Sequence, residues 1–570
     1  MYTASMAFLE ALVDAGVSYL FVNLGSDHPA MVESLAEAAA TGKPVPKIVT
    51  CPNEMVALSC AHGYAQVSGR AQAVLVHVEC GTQAMAGAIH NAARCRVPVL
   101  IFAGASPYTQ EGELRGSRNE FIHWLQDVHD QRGIVRGYMK YNAEIRTGRN
   151  IKQMVHRAFQ IACSDPQGPA YLMGAREVME EEIPPVHVDA ARWSNVEPAA
   201  LRSETAAKLA EDLAQARRPL IVTSYLGRNH GAVSELVKLA KRLGLGVLES
   251  VPTYMNFPSD HPLYLGNQGN EPVQNPALAE ADVVVVIDSD VPWIPLVNHP
   301  ADGAKIYHID IDPLKEAMPL WYIPATHVLR ADSATALAQL NEYLNGRAID
   351  EDRVAERTEH YSGLSEARRK KLVQQEHHSG EVITPEYLTA RVRNHISRDA
   401  IVLNEGITNY VIITNHIASC LPGTRFTSGA SSLGWHGGAA IGAKLAFPER
   451  EVVCLTGDGS YMFTVPSTVH WMARRYQTPF LEVIYNNRGW KAPKMSALAV
   501  HPDGYASKAP DLNIAFDPPP DYSGIAAAAG GAYARIVKDP KELDQAIAEA
   551  VYTVRHEKRC AVLDVWLAKF

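Results

Sequence analysis

The chain has 570 residues, with 53 Lys and Arg against 62 Asp and Glu. The formal charge of −9 leaves no general basic surface for nucleic acid. At 47% hydrophobic and 20% charged residues, this is the composition of an ordinary globular protein, and its length fits three or four domains at roughly 150 residues each. The eight cysteines form no C-x-x-C pair, which argues against a disulfide scaffold and against a clustered zinc site. The first residues lack a basic n-region, no apolar run reaches membrane-spanning length, and Ala568-Lys569-Phe570 is not a peroxisomal address, so a cytoplasmic location is expected.

Short β-branched runs alternate with longer helical patterns, the signature of α/β layers. Strands are expected at 19–23, 47–50, 73–77 and 97–103, with helices filling most of the intervals. A Pro-rich polar stretch, 183–198, reads as a linker. The next block carries strands at 219–223, 246–249, 282–288 and 305–311. Charge then dominates 350–378, read as a solvated helix and second linker. The last third has strands at 400–404, 451–456, 480–485 and 561–566. The expected fold is α/β, with three doubly wound parallel-sheet domains at 1–182, 199–345 and 380–570.

The most informative stretch is Gly457-Asp458-Gly459, with Ser460 next in the chain; 26 residues (460 to 485) separate it from Asn486-Asn487. Each half follows an apolar strand, with a helix predicted from Pro466 to Arg475 between them. Pro466 suits a first helical position, whereas Val465 is a poor cap. A right-handed strand–helix–strand unit brings both carboxyl-terminal strand ends to one edge, where parallel sheets bind ligands. Gly457 and Gly459 let backbone approach a phosphate, and Asp458 and Asn487 offer hard oxygens suited to magnesium. Alone, either half is an ordinary turn; together they point to an anchored diphosphate.

This arrangement resembles the thiamine-diphosphate motif of the decarboxylase and acetohydroxyacid synthase family. The resemblance implies that Asp458, Asn487 and the carbonyl of Gly489 bind Mg2+, and that Gly457, Gly459 and Ser460 cradle the diphosphate. It also covers Ser431-Ser432-Leu433-Gly434-Trp435-His436, where Leu433 matches the aliphatic wedge that holds the cofactor bent. Asn404-Glu405-Gly406-Ile407-Thr408 matches the loop at the diphosphate, with Thr408 the hydroxyl donor. The three domains are then pyrimidine-binding, middle and diphosphate-binding. Glu54, in Cys51-Pro52-Asn53-Glu54, matches the glutamate that activates the aminopyrimidine ring; as an isolated residue it would be read as complementing a helix dipole. In relatives the two halves of the site come from different subunits, implying a homodimer or homotetramer.

Two segments are similar to benzoylformate decarboxylases in particular. Gly25-Ser26 matches a turn whose serine faces substrate, and His77 matches the proton-shuttling histidine. Two positions depart from that pattern: Val291-Pro292-Trp293-Ile294-Pro295 stands where those enzymes carry a middle-domain histidine, and Arg488-Gly489-Trp490-Lys491 follows the asparagines. Trp490 reads equally as a pocket wall or a packing residue, and Lys491 as an anion contact or a surface residue. The resemblance implies a thiamine-diphosphate C–C lyase or decarboxylase acting on a 2-oxo acid, with carboligation as a further outcome. A 2-hydroxyacyl-CoA lyase, an acetolactate synthase-like carboligase and a non-catalytic regulatory homologue are the alternatives. Flavin or a CoA-type nucleotide in the middle domain stays open, with His308-Ile309-Asp310-Ile311-Asp312 as a candidate strand end; no G-x-G-x-x-G follows a strand there.

Overall fold

The computed structural model describes residues 2–377 and 380–570, so His378, the last residue of the expected charged segment, lies outside the described residues. Eighteen strands form three six-stranded sheets, parallel throughout. The first comprises β1 (Tyr19–Val22), β2 (Lys47–Thr50), β3 (Gln72–Val76), β4 (Val99–Ala105), β5 (Tyr141–Ile145) and β6 (Ala170–Ala175), in the order 2-1-3-4-6-5. The second comprises β7 (Pro219–Thr223), β8 (Gly246–Glu249), β9 (Tyr264–Asn267), β10 (Val283–Ile287), β11 (Lys305–Asp310) and β12 (His327–Arg330). Read from its β9 edge it runs 9-8-7-10-11-12, the doubly wound order with its switch point between β7 and β10. The third comprises β13 (Ile401–Glu405), β14 (Arg425–Phe426), β15 (Val452–Gly457), β16 (Leu481–Asn486), β17 (Tyr533–Val537) and β18 (Ala561–Trp566), in the order 14-13-15-16-18-17. The first and third sheets therefore share one topology.

β3, β4, β7, β8, β10, β13 and β16 are buried along their whole length, as expected of parallel sheets covered on both faces. Strands not expected from sequence are mostly edges: β5, β12 and β17 are part-exposed, β14 has only two residues, and β9 is a short, mostly buried strand. In β5, β12 and β17 the hydrophobic signal is weak because one side faces solvent. The inner β6 was also unexpected.

The first and third units join through two crossed helices, Glu54–Ser68 and Trp435–Ala446, whose residues share one apolar core. Glycine makes the approach possible. A Cβ on Gly63 would lie 2.4 Å from the Ala439 Cα, and one on Gly442 would lie 2.0 Å from the Cys60 carbonyl oxygen.

The charged segment after residue 350 requires a correction. It is a 25-residue helix, Glu351–Gln375, but one face is buried rather than solvated. The Arg357 guanidinium donates to the carbonyls of Leu213, Ala214, Ala216 and Leu243, at the carboxyl ends of two helices of the middle unit. Tyr361 Oη donates to the Pro219 carbonyl at 2.9 Å. Unpaired helix-end carbonyls need donors, and a cation there also meets the helix dipole; charge in the sequence did not mean exposure.

Candidate active site

β15 and β16 are neighbours, with Gly457 opposite Tyr485, so Asp458 and Asn487 emerge at one sheet edge. Asp458 opens a short helix, Asp458–Phe463, that the sequence reading lacked; the helix Pro466–Arg475 has the expected bounds. Val465 before it has φ +57° and makes no side-chain cap. Asp458 is 2% exposed. Its Oδ1 accepts from the Gly459 N–H and its Oδ2 from the Gly489 N–H, each at 2.8 Å. Burial pushes the Asp458 carboxyl up to about 6 despite these bonds, because desolvation disfavours its charged form.

These residues suit a divalent cation shared with a diphosphate. Among the described residues the Asn487 Oδ1 and Ser460 Oγ are buried with no hydrogen-bond partner, and such atoms are costly unless a ligand pairs them. A Cβ on Gly459 would lie 2.7 Å from the Trp490 indole Nε1, so the loop tolerates only glycine beneath that ring. Among the described residues no three His, Cys, Asp or Glu gather to hold a metal; a cation here would draw on amide, carboxylate and backbone oxygens, a set typical of magnesium. Trp490 also meets Phe516 edge-on at 5.1 Å. Lys491 is exposed and begins a helix, Lys491–Val500, with no buried residue.

At the end of β13, Glu405 collects the amides of Gly434 (2.8 Å), Trp435 (3.3 Å) and His436 (3.0 Å). This carboxylate, which the sequence reading did not single out, pins the turn after Leu433 to the Thr408 loop. The Thr408 side chain is half-buried, with no hydrogen-bond partner among the described residues. Leu433 is half-buried and lines a cavity of about 490 Å³ shared with Ile407, Tyr225, Val251 and Val291. The Asn91 side chain of the first unit donates to the Ser432 carbonyl at 2.8 Å, holding the same loop from the other side.

The first unit gathers Glu54, His77 and Ser26 at the ends of neighbouring β1 and β3 and the start of an adjacent helix. Asn53 caps that helix, its Oδ1 accepting from the Val56 N–H at 3.1 Å. Glu54 is the first helical residue and lies against Gly81, where a Cβ would be 3.5 Å from its Oε1. His77 Nδ1 is 2.5 Å from Asp27 Oδ1, and Asp27 Oδ2 accepts from the Val78 N–H at 3.1 Å. The hydrogen bond to Asp27 raises the His77 pKa although burial opposes it; Glu54 and Glu79 add to the rise. Burial opposes ionisation of Asp27 as well, but His28 and His77 hold its carboxyl below the usual range.

Asp27 was missed by the sequence reading, although it directly follows Ser26. Its place is protected: a Cβ on Gly104 would lie 1.7 Å from Asp27 Oδ2, and one on Gly25 would lie 2.0 Å from His77 Nδ1. Ser26 Oγ is buried with no hydrogen-bond partner among the described residues. Cys80 is exposed, and its Sγ–H donates to Glu79 Oε1 at 2.8 Å, which lifts its thiol to about 11.

Two groups thus form, one around Glu54 and His77 and one around Asp458 and Asn487, and no hydrogen bond or ion pair joins them among the described residues. In the middle unit the candidate nucleotide strand end is satisfied internally. Asp310 accepts from Tyr225 Oη at 2.5 Å and Lys315 Nζ at 2.6 Å, while Arg96 of the first unit binds Asp290 through both terminal nitrogens.

Comparison with known proteins covers all three sheets. Residues 2–134, 206–340 and 406–565 match the family models of the N-terminal TPP binding domain, the central domain and the C-terminal TPP binding domain of thiamine pyrophosphate enzymes. The chain is 24% identical to sulfoacetaldehyde acetyltransferase of Castellaniella defragrans, over 99% of this chain and 93% of that protein. It is 25% identical to benzoylformate decarboxylase of Pseudomonas aeruginosa, over 90% and 92%. With acetolactate synthase isozyme 3 large subunit of Escherichia coli the identity is 24%, over 98% and 94%. The fold is similar to that of benzoylformate decarboxylase from Polynucleobacter necessarius, with a TM-score of 0.79 at 19% identity over 100% and 99% of the two chains.

Proposed function

This chain belongs to the thiamine pyrophosphate enzyme family, and on that premise we propose that it is a C–C lyase that decarboxylates a 2-oxo acid. The observation that carries this reading is the His77–Asp27 pair, 2.5 Å apart and beside Glu54. With Nδ1–H donated to Asp27, the other ring nitrogen, Nε2, has no protein partner among the described residues and can deliver a proton to a substrate carbon. Asp27 fixes the tautomer and favours the charged ring, as a general acid needs.

Bound thiamine diphosphate supplies the electron sink for the bond that breaks. Asp458, Asn487 and the Gly489 carbonyl would hold magnesium, with Ser460 and Thr408 as hydroxyl donors and Gly457 and Gly459 giving backbone access to the diphosphate. Glu54 would activate the cofactor, Leu433 would shape it, and Ser26 would orient the substrate carboxylate. The separation of the two groups within one chain supports a homodimer, or a tetramer of such dimers, with each site completed by a second copy. Exposed Phe121 (77%), Leu125 (72%) and Trp124 (48%) form an apolar face suited to burial in such an assembly. No helix among the described residues is long and apolar enough to cross a membrane.

A second reading, carboligation or cleavage of a 2-hydroxyacyl-CoA, is supported by the cavity of about 490 Å³ beside Leu433, which has room for a bulkier partner. The test is a panel of 2-oxo acids and 2-hydroxyacyl-CoAs incubated with purified enzyme, cofactor and magnesium, with products read by mass spectrometry. Release of carbon dioxide and an aldehyde from one 2-oxo acid is expected. Turnover of acyl-CoAs alone would overturn the decarboxylase reading.

A further inference from the structure

The third unit buries four ionisable side chains in a row. Glu405, His436, Glu482 and His470 are 3, 0, 0 and 1% exposed. His436 Nδ1 contacts Glu405 Oε2, and its Nε2 lies 2.7 Å from Glu482 Oε1. Glu482 Oε2 is in turn 3.2 Å from His470 Nε2. Ions in a core are costly even when paired, because each gives up its hydration, so the arrangement calls for a compensating role.

The geometry sets the charge of His436. Both ring nitrogens face carboxylate oxygens, and a neutral imidazole would turn a lone pair toward one of them. The ring is therefore an imidazolium, its pKa held at about 9 by the two carboxylates in spite of burial. Likewise burial works against Glu482, but the two histidines bring its carboxyl down to about 2.

The row also joins three segments that face the cofactor cleft. Glu405 ends β13 just before Thr408, and it binds the three amides that follow Leu433. Glu482 sits within β16, the strand that leads to Asn487. His436 is the link between them, and Thr456 Oγ1 of β15 approaches its Nδ1 at 3.3 Å.

We propose that His436 is a positioning residue for thiamine diphosphate, a buried cation that ties Glu405 to β16 and so keeps the Leu433 wedge and the Thr408 loop in one fixed relation. The proposal rests on the cofactor lying in this cleft and is independent of which substrate the enzyme takes. His470 serves as the internal control, because it lies at the far end of the row and meets it through Glu482, not through Glu405 or the amides after Leu433.

The experiment compares His436→Gln with His470→Asn in the full-length protein. Thermal denaturation of the cofactor-free protein reports the cost to the fold, and calorimetric titration with thiamine diphosphate and magnesium reports the site. Both variants are expected to melt earlier. Only His436→Gln should bind cofactor at least tenfold more weakly, with His470→Asn within about threefold of wild type. Wild-type affinity in a folded His436→Gln protein, or equal losses of affinity in both variants, would overturn the proposal. If His436→Gln does not fold, Glu405→Gln replaces it, with the same tenfold loss expected and wild-type affinity again decisive against. A wild-type protein that fails to bind the cofactor would instead sink the cofactor reading of the cleft itself.

Discussion

Replacing Asp458 with alanine should separate the site from the fold. Burial raises the Asp458 carboxyl to about 6 from its ordinary 3.8. That rise of roughly two units corresponds to about 3 kcal/mol at 1.36 kcal/mol per unit. The sign follows from linkage: the native state binds this proton more tightly than the unfolded chain, so stability falls as pH rises from about 4 to about 6, and the penalty is complete at neutral pH. Alanine removes the penalty and also forfeits the acceptors for the Gly459 and Gly489 amides. Each neutral bond of that kind is worth about 0.5–1.5 kcal/mol, so the two changes nearly cancel. Cofactor-free Asp458→Ala should melt within a few degrees of wild type at pH 7.5. Ligand should then distinguish them. At a cofactor concentration about 100 times the wild-type Kd, with magnesium present, wild type gains about 2.7 kcal/mol. A variant bound 100-fold more weakly gains about 0.4 kcal/mol by the same relation. Denaturant unfolding with and without cofactor measures both quantities. Equal stabilisation of the two proteins, or unchanged cofactor affinity by calorimetry, would refute the anchor.

Glu54→Gln should retain cofactor yet slow exchange of the thiazolium C2 proton severely; exchange at the wild-type rate by deuterium incorporation would make Glu54 structural. His77→Ala should slow turnover of the true 2-oxo acid by about 10²- to 10⁴-fold without cofactor loss, whereas unaffected turnover together with acyl-CoA cleavage would favour the lyase alternative. Asp27→Asn removes the carboxylate that raises the His77 pKa, so the alkaline limb of the pH–kcat profile should move to lower pH; an unmoved limb would show that His77 does not act as the acid. Arg357→Met removes donors to four buried carbonyls and should cost about 2–4 kcal/mol of stability in denaturant unfolding, with cofactor affinity unchanged.

Sequence alone determined the strands buried on both faces, because an unbroken apolar run bounded by glycine or proline leaves little alternative to a parallel strand. Those at 219–223, 246–249 and 561–566 have the expected bounds, and so does the part-exposed edge strand at 47–50. It also singled out Asp458, Asn487 and Glu54, since each follows a strand or opens a helix and so sits where ligands bind. Most of the other edge strands escaped it, being half-exposed or very short and so carrying too little pattern. Only the tertiary structure set Asp27 beneath His77, Glu405 across the amides after Leu433, and Arg357 among helix-end carbonyls. Each of these is a charged residue whose sequence context reads as surface. What reverses that reading is a partner brought from 50 residues away for His77 and from more than 100 for Arg357. A buried charge is specified by its partner, and partners distant in the chain meet only when the sheets assemble.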